Sequence, residues 1–277
     1  MSGEALWEFT VTGCGTSHGC PMWGAPALWS SDPRDRRRRS GAFLRGPQGQ
    51  ILLFDCGPDL AHQLTDPYRD WDGVSYPSRC ITRCDGVLIT HDHADHTHGI
   101  NDLRHLNRLM RGRSIPLYGH NLHLEALRRM FAYCFADGDD LYAGASPALR
   151  CVPLADGQPV EIAGLVVVPF PMSHGTAGRS TGWRCGRLAY CTDIKELPAS
   201  SERWLSDLDL LVLGVLRDAP HPTHQCWDEA LALLARCRPR RALFVHLGPE
   251  VRYREWAARA PAGVEIAYDG WTTRVAA

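Results

Sequence analysis

The stretch Thr90-His91-Asp92-His93-Ala94-Asp95-His96 follows the apolar run Gly86-Val87-Leu88-Ile89. It places three imidazoles and a carboxylate within a few residues of the end of a predicted buried strand. Imidazole and carboxylate groups bind zinc, manganese or iron, and an HxHxDH spacing on a turn can direct its members at two adjacent metal positions. The stretch therefore predicts a metal centre, and a binuclear hydrolase is the leading hypothesis.

The alternative for this stretch is a solvated His-rich surface loop that binds no metal. Four ligand-type residues in six positions argue against that interpretation, and ligand-type residues recur after later apolar runs. They are His174 in Pro171-Met172-Ser173-His174-Gly175, Asp193 in Tyr190-Cys191-Thr192-Asp193 and His246 in Leu243-Phe244-Val245-His246-Leu247. Because a rigid scaffold usually presents catalytic groups on loops at strand ends, these positions predict one composite site.

Composition describes a globular protein: of 277 residues, 44% are hydrophobic and 22% are charged, with a formal net charge of -1. A chain of this length can bury a substantial core, and we expect a single domain over residues 1–277. No stretch approaches the roughly 18 apolar residues of a membrane helix. The start Met1-Ser2-Gly3-Glu4 lacks the regions of a secretory signal. A cytoplasmic protein without a membrane partner is expected.

The chain has 11 cysteines, an odd number, and they are scattered through predicted strands and helices. This distribution favours reduced, mostly buried thiols over a disulfide framework. Cys80 and Cys84 are close enough for a metal clip, but the chain has no second Cys pair at a suitable distance. Their role is left open.

Short apolar runs with β-type residues alternate with helical patterns along the chain. Strands are predicted at residues 7–11, 42–44, 51–54, 165–168, 181–184, 187–191, 208–215 and 242–245, and helices at residues 100–110, 122–131 and 227–237. In the last helix, the spacing places Ala230, Leu231, Leu234 and Cys237 on the inward face. Two sheets between outer helices fit this order.

The basic run Arg36-Arg37-Arg38-Arg39 permits two interpretations, because the sequence does not show which way the loop faces. One is a solvated loop. The other is a phosphate-binding loop beside the metal centre, since arginine can bind phosphate oxygens in a bidentate manner. In the second interpretation, Arg38 and Arg39 are candidate substrate contacts.

The HxHxDH stretch, the distant His174, the strand-end Asp193 and the final His246 together resemble the metallo-β-lactamase-fold hydrolases over nearly the whole chain. The resemblance implies an α/β fold, a four-layer αββα sandwich. It also implies that one metal is held by His91, His93 and His174, a second by Asp95, His96 and His246, and both by Asp193. Asp55, in Leu53-Phe54-Asp55-Cys56-Gly57, matches the family's strand-end aspartate and is interpreted as support for a metal-binding imidazole.

Three further stretches resemble the PhnP-like phosphodiesterase branch, which is related to the tRNA-processing zinc nucleases. They are Gly13-Cys14-Gly15-Thr16-Ser17-His18-Gly19, His98-Gly99-Ile100-Asn101-Asp102-Leu103-Arg104 and His221-Pro222-Thr223-His224. The resemblance implies that His224 assists catalysis without binding metal, with His221 a weaker candidate. Asp95 is both a candidate ligand and a candidate catalytic residue, and His98 and His221 are candidate substrate contacts. His18, His105, His120 and His123 are left outside the site, since lone histidines are more often hydrogen-bonded or solvated.

The expected activity is hydrolysis of a small phosphodiester, cyclic or nucleotide-like, by a hydroxide that bridges two divalent metal ions. Zinc or manganese is expected, and iron is less favoured. A homodimer is implied by the family. Long nucleic acid is not expected as a substrate, because the sequence shows no basic pattern beyond the arginine run and no long RNA-gripping insertion.

One departure from the branch concerns the substrate. Phosphoribosyl cyclic phosphate enzymes of that branch carry a cysteine cluster after the first loop, whereas this chain has Gly24-Ala25-Pro26-Ala27-Leu28-Trp29 there. The resemblance therefore supports the reaction type more firmly than that substrate. Two other functions stay open: an oxidative metalloenzyme of cofactor biosynthesis like the PqqB-type proteins, and a metal-containing nucleotide-binding protein without turnover.

Overall fold

The chain forms two β-sheets, and the computed structural model describes residues 6–65, 81–135 and 146–276. The first sheet contains β1 (Leu6–Gly13), β2 (Gly41–Arg45), β3 (Ile51–Phe54), β4 (Gly86–Leu88), β5 (Ile115–Gly119), β6 (Leu149–Pro153) and β15 (Thr272–Ala276). Their order across the sheet is β15-β1-β2-β3-β4-β5-β6. Strands β3 to β6 are parallel neighbours, so their carboxyl ends lie along one edge.

The second sheet combines an antiparallel half with a parallel half. It contains β7 (Val160–Ile162), β8 (Leu165–Ser173), β9 (Arg179–Cys185), β10 (Leu188–Cys191), β11 (Leu210–Arg217), β12 (Gln225–Cys226), β13 (Ala242–Val245) and β14 (Val264–Ile266). The order is β14-β13-β11-β10-β9-β8-β7, with β12 beside the end of β11. Because β10, β11, β13 and β14 are parallel, their carboxyl ends also meet at one edge.

Helices cover the outer face of each sheet. They are α1 (Leu60–Thr65), α2 (Ala94–Thr97), α3 (Leu103–Leu109), α4 (Asn121–Met130), α5 (Trp227–Cys237) and α6 (Tyr253–Arg259). Buried residues of α1, α3 and α4 pack on the first sheet, and those of α5 and α6 pack on the second. The result is a four-layer αββα sandwich, which confirms the predicted fold class.

Alternate residues of β3 face opposite sides of the first sheet, as the two-residue period of a strand requires. Leu52 and Phe54 belong to the core between the sheets, whereas Leu53 belongs to the core under the helices. The Phe54 ring stacks on Tyr190 of β10 at 4.5 Å between centroids and so joins the two sheets. Burial of each such apolar side chain contributes about 1.5–3 kcal/mol.

The predicted bounds of β3, α5 and β13 agree with the structure. β15 is absent from the sequence prediction because its start, Thr272-Thr273-Arg274, is polar; the strand forms by antiparallel pairing with β1, from Leu6 opposite Ala276 to Thr10 opposite Thr272. The predicted helix over residues 100–110 begins as a 3₁₀ turn, and α3 starts only at Leu103.

The inward face of α5 differs from the sequence prediction. The buried residues are Trp227, Ala230 and Leu233, at a spacing of three, whereas Leu231 and Leu234 are half-buried at the flank. Trp227 sets this rotation, because its ring packs edge to face on Phe244 of the second sheet at 5.6 Å between centroids. Trp227, the bulky first residue of α5, therefore decides which face of the helix packs on the sheet.

The ten cysteines in the described ranges are free thiols, and seven of them are buried. Burial raises the pKa of Cys84 to about 12, so this thiol stays protonated in the core. Cys80 lies outside the described residues, and the suggested Cys80-Cys84 clip is untested. Within the described ranges, no helix has the length and apolar character needed to cross a membrane.

Candidate metal centre

The strands that are followed by a predicted ligand residue all end in the same region of the fold. His174 directly follows β8, His246 directly follows β13, and Asp193 stands two residues beyond β10. His91 stands three residues beyond β4 of the first sheet. The four loops converge where the edges of the two sheets meet.

Three residues of this region have left-handed backbone conformation. The φ angles are 61° at Asp55, 53° at Asp193 and 58° at His246. Aspartate and histidine tolerate this conformation better than most residues, yet each instance costs on the order of 1–3 kcal/mol. Such strain concentrates at functional sites, where the surrounding structure holds it in place.

His91, His93 and His174 form the first ligand set. One ring nitrogen from each lies within 4.8 Å of the others. His91 and His174 are buried, whereas His93 is exposed. The set therefore has a closed side in the protein and an open side facing solvent.

Asp95, His96, Asp193 and His246 form the second ligand set, with ligand atoms again within 4.8 Å of one another. His96 Nε2 lies 3.3 Å from Asp95 Oδ2 and 3.0 Å from Asp193 Oδ2. All members of this set are buried except Asp95, which is partly exposed. Two carboxylates and two imidazoles give this set more negative charge than the first.

The Asp193 carboxylate lies between the two sets. Its Oδ1 is 3.5 Å from His174 Nε2 and 3.9 Å from His91 Nε2. Its Oδ2 is 3.0 Å from His96 Nε2 and 3.3 Å from His246 Nδ1. The structure thus brings together the residues that the sequence predicts as ligands, with Asp193 in the position of a bridge.

The hydrogen bonds around the rings fix which nitrogen faces the centre. His96 Nδ1 donates to Asp55 Oδ2 at 2.7 Å, and His174 Nδ1 donates to the Thr223 carbonyl at 2.8 Å. Thr90 Oγ1 donates its hydrogen to Asp55, so it accepts from His91 Nδ1 at 3.0 Å. In all three histidines, the Nε2 lone pair is therefore directed at Asp193.

The surroundings of two of these Nε2 atoms indicate whether a metal ion fits the site. Among the described residues, the buried Nε2 atoms of His91 and His96 have no hydrogen-bond partner of proper geometry. A buried polar atom without a partner is costly, and here it carries a lone pair aimed at carboxylates. Imidazole nitrogens and carboxylate oxygens form a donor set for borderline divalent cations. The residues present fit a divalent metal.

The pKa values of the site show how closely its charges are packed. Burial lowers the pKa of His91 well below its usual value, and burial also lowers the pKa of His174. Against the penalty of burial, the neighbouring His246 and His96 hold the pKa of Asp193 well below its usual range. Against the penalty of burial, the carboxylates of Asp193, Asp95 and Asp55 raise the pKa of His96 well above its usual value. Because a neutral imidazole is the form that binds metal, metal binding at His96 would release that proton.

Asp55 supports His96, which assigns the partner that the sequence leaves open. The Asp55 carboxylate accepts from three donors: His96 Nδ1, Thr90 Oγ1 and the Thr90 backbone N–H. Ser40 contacts the last ligand in a different way, because its Oγ lies 2.8 Å from His246 Nδ1, the same nitrogen that faces Asp193 Oδ2. The sequence analysis missed Ser40 and the Thr223 carbonyl, and only the position of Thr223 beside His224 hints at its role.

Asp55→Asn is expected to weaken binding of the metal that His96 contacts by about 10- to 100-fold. Both Asp55 oxygens accept hydrogen bonds, so in asparagine the side-chain NH₂, itself a donor, must face at least one of the three donors. Titration of the metal-free protein with zinc would measure both affinities. Asp59→Asn is the control, since Asp59 pairs with Arg39 and not with a histidine. Unchanged affinities in Asp55→Asn would contradict the supporting role.

His224 lies beside the ligands, as the sequence predicts. Its Nδ1 is 3.7 Å from Asp193 Oδ1, and its ring centroid is 4.8 Å from those of His174 and His246. Burial lowers the pKa of His224 to about 3, so the ring is neutral near pH 7. His224 also forms a third ligand-type group with His174 and Asp193. The geometry therefore permits either a ligand or a group that acts on the substrate.

The other candidate histidines lie farther out. His221 stands 5.3 Å from His224 between ring centroids, and its Nδ1 accepts from Thr223 Oγ1 at 3.1 Å. His98 is exposed and packs edge to face on Phe131 at 5.4 Å. Their contact with substrate stays a prediction.

The basic run is largely part of the scaffold. Arg37 is buried and donates to Asp35 Oδ1 and to the carbonyls of Gly248 and Val251. Arg39 is half-buried, and its Nη1 donates to Asp59 at 2.7 Å. Arg38 is also half-buried. Substrate contact by Arg38 and Arg39 stays a prediction, and Arg37 links the loop before β2 to the loop after His246.

Residues 50–247 match the family described as the beta-lactamase superfamily domain. The chain belongs to this superfamily. A crystal structure of a diphosphatase from the PhnP family is 29% identical, with a TM-score of 0.83, over 98% of this chain and 99% of that chain. The match confirms the predicted metallo-β-lactamase-fold hydrolase of the PhnP-like branch. The His/Asp cluster gives this domain a candidate metal centre.

Two curated relatives are longer than this chain. A Porphyromonas gingivalis protein named octanoyltransferase is 28% identical over 264 residues, which is 94% of this chain and 50% of that protein. Ribonuclease Z of a Bradyrhizobium species is 29% identical over 146 residues, 52% of this chain and 43% of that enzyme. The chain thus spans about half the length of the curated relatives it matches.

Proposed function

We propose that the protein is a binuclear phosphodiesterase that hydrolyses a small phosphodiester. The observation that carries the proposal is the Asp193 carboxylate, which faces His91 and His174 with one oxygen and His96 and His246 with the other. His91, His93 and His174 would hold one divalent ion, and Asp95, His96 and His246 the other. When bound, zinc or manganese ions supply Lewis acidity and lower the pKa of water.

The protein's own groups orient the reaction. Asp95 keeps 11% of its side chain exposed while one oxygen faces His96, so it can accept a hydrogen bond from the attacking water. His224 lies on the exposed side of the ligands and, as a neutral ring, would stabilise the departing oxygen with a hydrogen bond from its N–H. Hydrogen bonds to Asp55, Thr90 and the Thr223 carbonyl hold the rings of His96, His91 and His174 still, so that little reorganisation accompanies the reaction.

A cyclic or nucleotide-like phosphodiester is the proposed substrate class. His93 is exposed, His224 is partly exposed, and His221 lies next to it, so the open side of the centre is lined by imidazoles that can donate to phosphoryl oxygens. The similar PhnP-family structure is that of a diphosphatase. A diphosphate diester therefore belongs among the compounds tested beside cyclic phosphates.

The test combines metal content with turnover. Protein purified without chelator, then reconstituted with manganese or zinc, is expected to hold two metals and to hydrolyse bis(p-nitrophenyl) phosphate or a member of the cyclic and diphosphate panel. Removal of the metal by chelator should abolish turnover, and manganese or zinc should restore it. Two metals without turnover would favour oxidation or nucleotide binding, and absence of metal under both conditions would overturn the proposal.

A further inference from the structure

His123 lies on α4, behind the metal-ligand stretch, and is only 3% exposed. Its Nδ1 donates to Asp92 Oδ1 at 2.6 Å. Asp92 is the residue between the candidate ligands His91 and His93. The His123 ring also meets the His91 ring edge to face, at 6.4 Å between centroids. His123 therefore contacts both the backbone turn and one ring of the first ligand set.

One member of the first ligand set, His93, contacts the rings of its co-ligands His91 and His174, at 4.4 Å and 5.2 Å between centroids, but lacks the hydrogen bond that holds other ligand rings. His96 is held by Asp55 and His174 by the Thr223 carbonyl, each through the nitrogen away from the centre. The His93 ring is exposed and, in the part of the chain that the structure describes, has no hydrogen-bond partner. Since its ring contacts are with other ligands, its direction depends on its backbone, which Thr97 holds on one side and Asp92 on the other.

The turn is fixed at two points. The Asp92 carboxylate accepts from His123, and Thr97 Oγ1 donates to the His93 carbonyl at 2.8 Å, with the Asp92 carbonyl 3.3 Å away. α4 is itself anchored, because Leu124 and Leu127 are buried in the core under the first sheet. The chain of contacts therefore runs from a rigid helix through His123 to the turn that carries His93.

The chemistry of position 123 argues for a role beyond packing. The neighbouring Leu124 and Leu127 show that this face of α4 accommodates apolar side chains. Burying an imidazole there costs desolvation free energy, which the bond to Asp92 only offsets. A buried polar pair fixes one geometry, and a metal site requires its ligands within a narrow range of positions.

We propose that His123 is a positioning residue for the first ligand set and acts through Asp92 to fix the direction of His93. The inference rests on the proposed metal assignment. His123 touches neither metal nor substrate in this role. Its loss should affect one metal and spare the other, because His96 of the second set is held by Asp55 and not by α4.

The test is a zinc titration of metal-free His123→Leu. Binding of one metal is expected to weaken by about 10- to 100-fold, while the other keeps the wild-type affinity. His123→Asn, which places an amide N–H near the position of Nδ1, should restore most of the loss. Asp92→Ala removes the partner from a half-buried position and should reproduce the His123→Leu effect. His105→Leu, an exposed histidine on α3, is the matched control.

Two results would overturn the inference. One is wild-type affinity for both metals in His123→Leu and in Asp92→Ala. The other is equal weakening of both metals together with a lower melting temperature of the metal-free variants, which would mark a general loss of structure. A wild-type protein that binds no metal would instead contradict the proposed function, so the two failures are distinguishable.

Discussion

Asp193→Ala is expected to release both metals and to reduce hydrolysis to the background rate. Asp193 Oδ1 faces His174 at 3.5 Å, and Oδ2 faces His96 at 3.0 Å, so removal of this carboxylate takes a ligand from each set at once. Asp95 groups with His96 and His246 in the second set and cannot replace Asp193 next to His174. Without the bridge, two cations would also repel each other across a buried space.

Metal content after dialysis, measured by mass spectrometry, checks this prediction. Alanine at a φ of 53° costs about 1–2 kcal/mol, so Asp193→Asn is the second variant, because asparagine tolerates that conformation. Both variants should lose metal while their circular dichroism stays native. Asp209→Ala, which removes a surface carboxylate paired with Arg187 and Arg240, should keep the full metal content. Full occupancy in Asp193→Asn and Asp193→Ala would overturn the ligand assignment.

The ligand sets could be predicted from sequence because the signals are local. His91, His174 and His246 each follow a run of apolar residues that reads as a buried strand, and the side chain after such a run sits at the carboxyl end of the sheet. Parallel pairing of β10 with β11 and of β11 with β13 places Asp193 and His246 at one edge, and β8 runs in the same direction because β9 pairs antiparallel with both β8 and β10. The arrangement of the strands depends on residues far apart in the sequence, and it came from the resemblance to a known fold.

The supporting residues could not be predicted in the same way. Ser40 reaches His246 across 206 positions, and His123 reaches Asp92 across 31. Serine and a lone helical histidine carry no pattern that distinguishes them from solvated residues, so only the fold reveals their partners. Asp55 was identified because it follows β3 directly, yet its partner His96 emerged only from the structure.

The arginine run shows why charge alone does not indicate function. Neighbouring residues with the same side chain differ in environment: Arg36 is exposed, whereas Arg37 is buried with Asp35. The burial of Arg37 depends on carbonyls of Gly248 and Val251, more than 200 positions away. The sequence shows the charges of such a run but not the direction in which each guanidinium points.

His224→Ala is expected to keep both metals and to lower turnover by about 10²- to 10⁴-fold. His224 stands at the solvent side of the ligands, where 13% of its side chain is exposed, compared with 2% for His174 and His246. That position suits contact with the departing oxygen. His221→Ala is the control, because its ring lies 5.3 Å from His224 and its Nδ1 already accepts from Thr223. We expect a smaller loss in that variant.

Metal content and the choice of leaving group separate the two roles that the geometry of His224 permits. Loss of metal in His224→Ala would make His224 a ligand together with His174 and Asp193, and normal turnover would remove it from the mechanism. If His224 acts on the leaving oxygen, the loss should be larger for an alkyl ester than for a p-nitrophenyl ester. Nitrophenolate spreads its negative charge over the ring, whereas an alkoxide keeps it on one oxygen and depends more on a hydrogen bond to that oxygen. Equal losses for the two esters would place His224 with the attacking water or the phosphoryl oxygens instead.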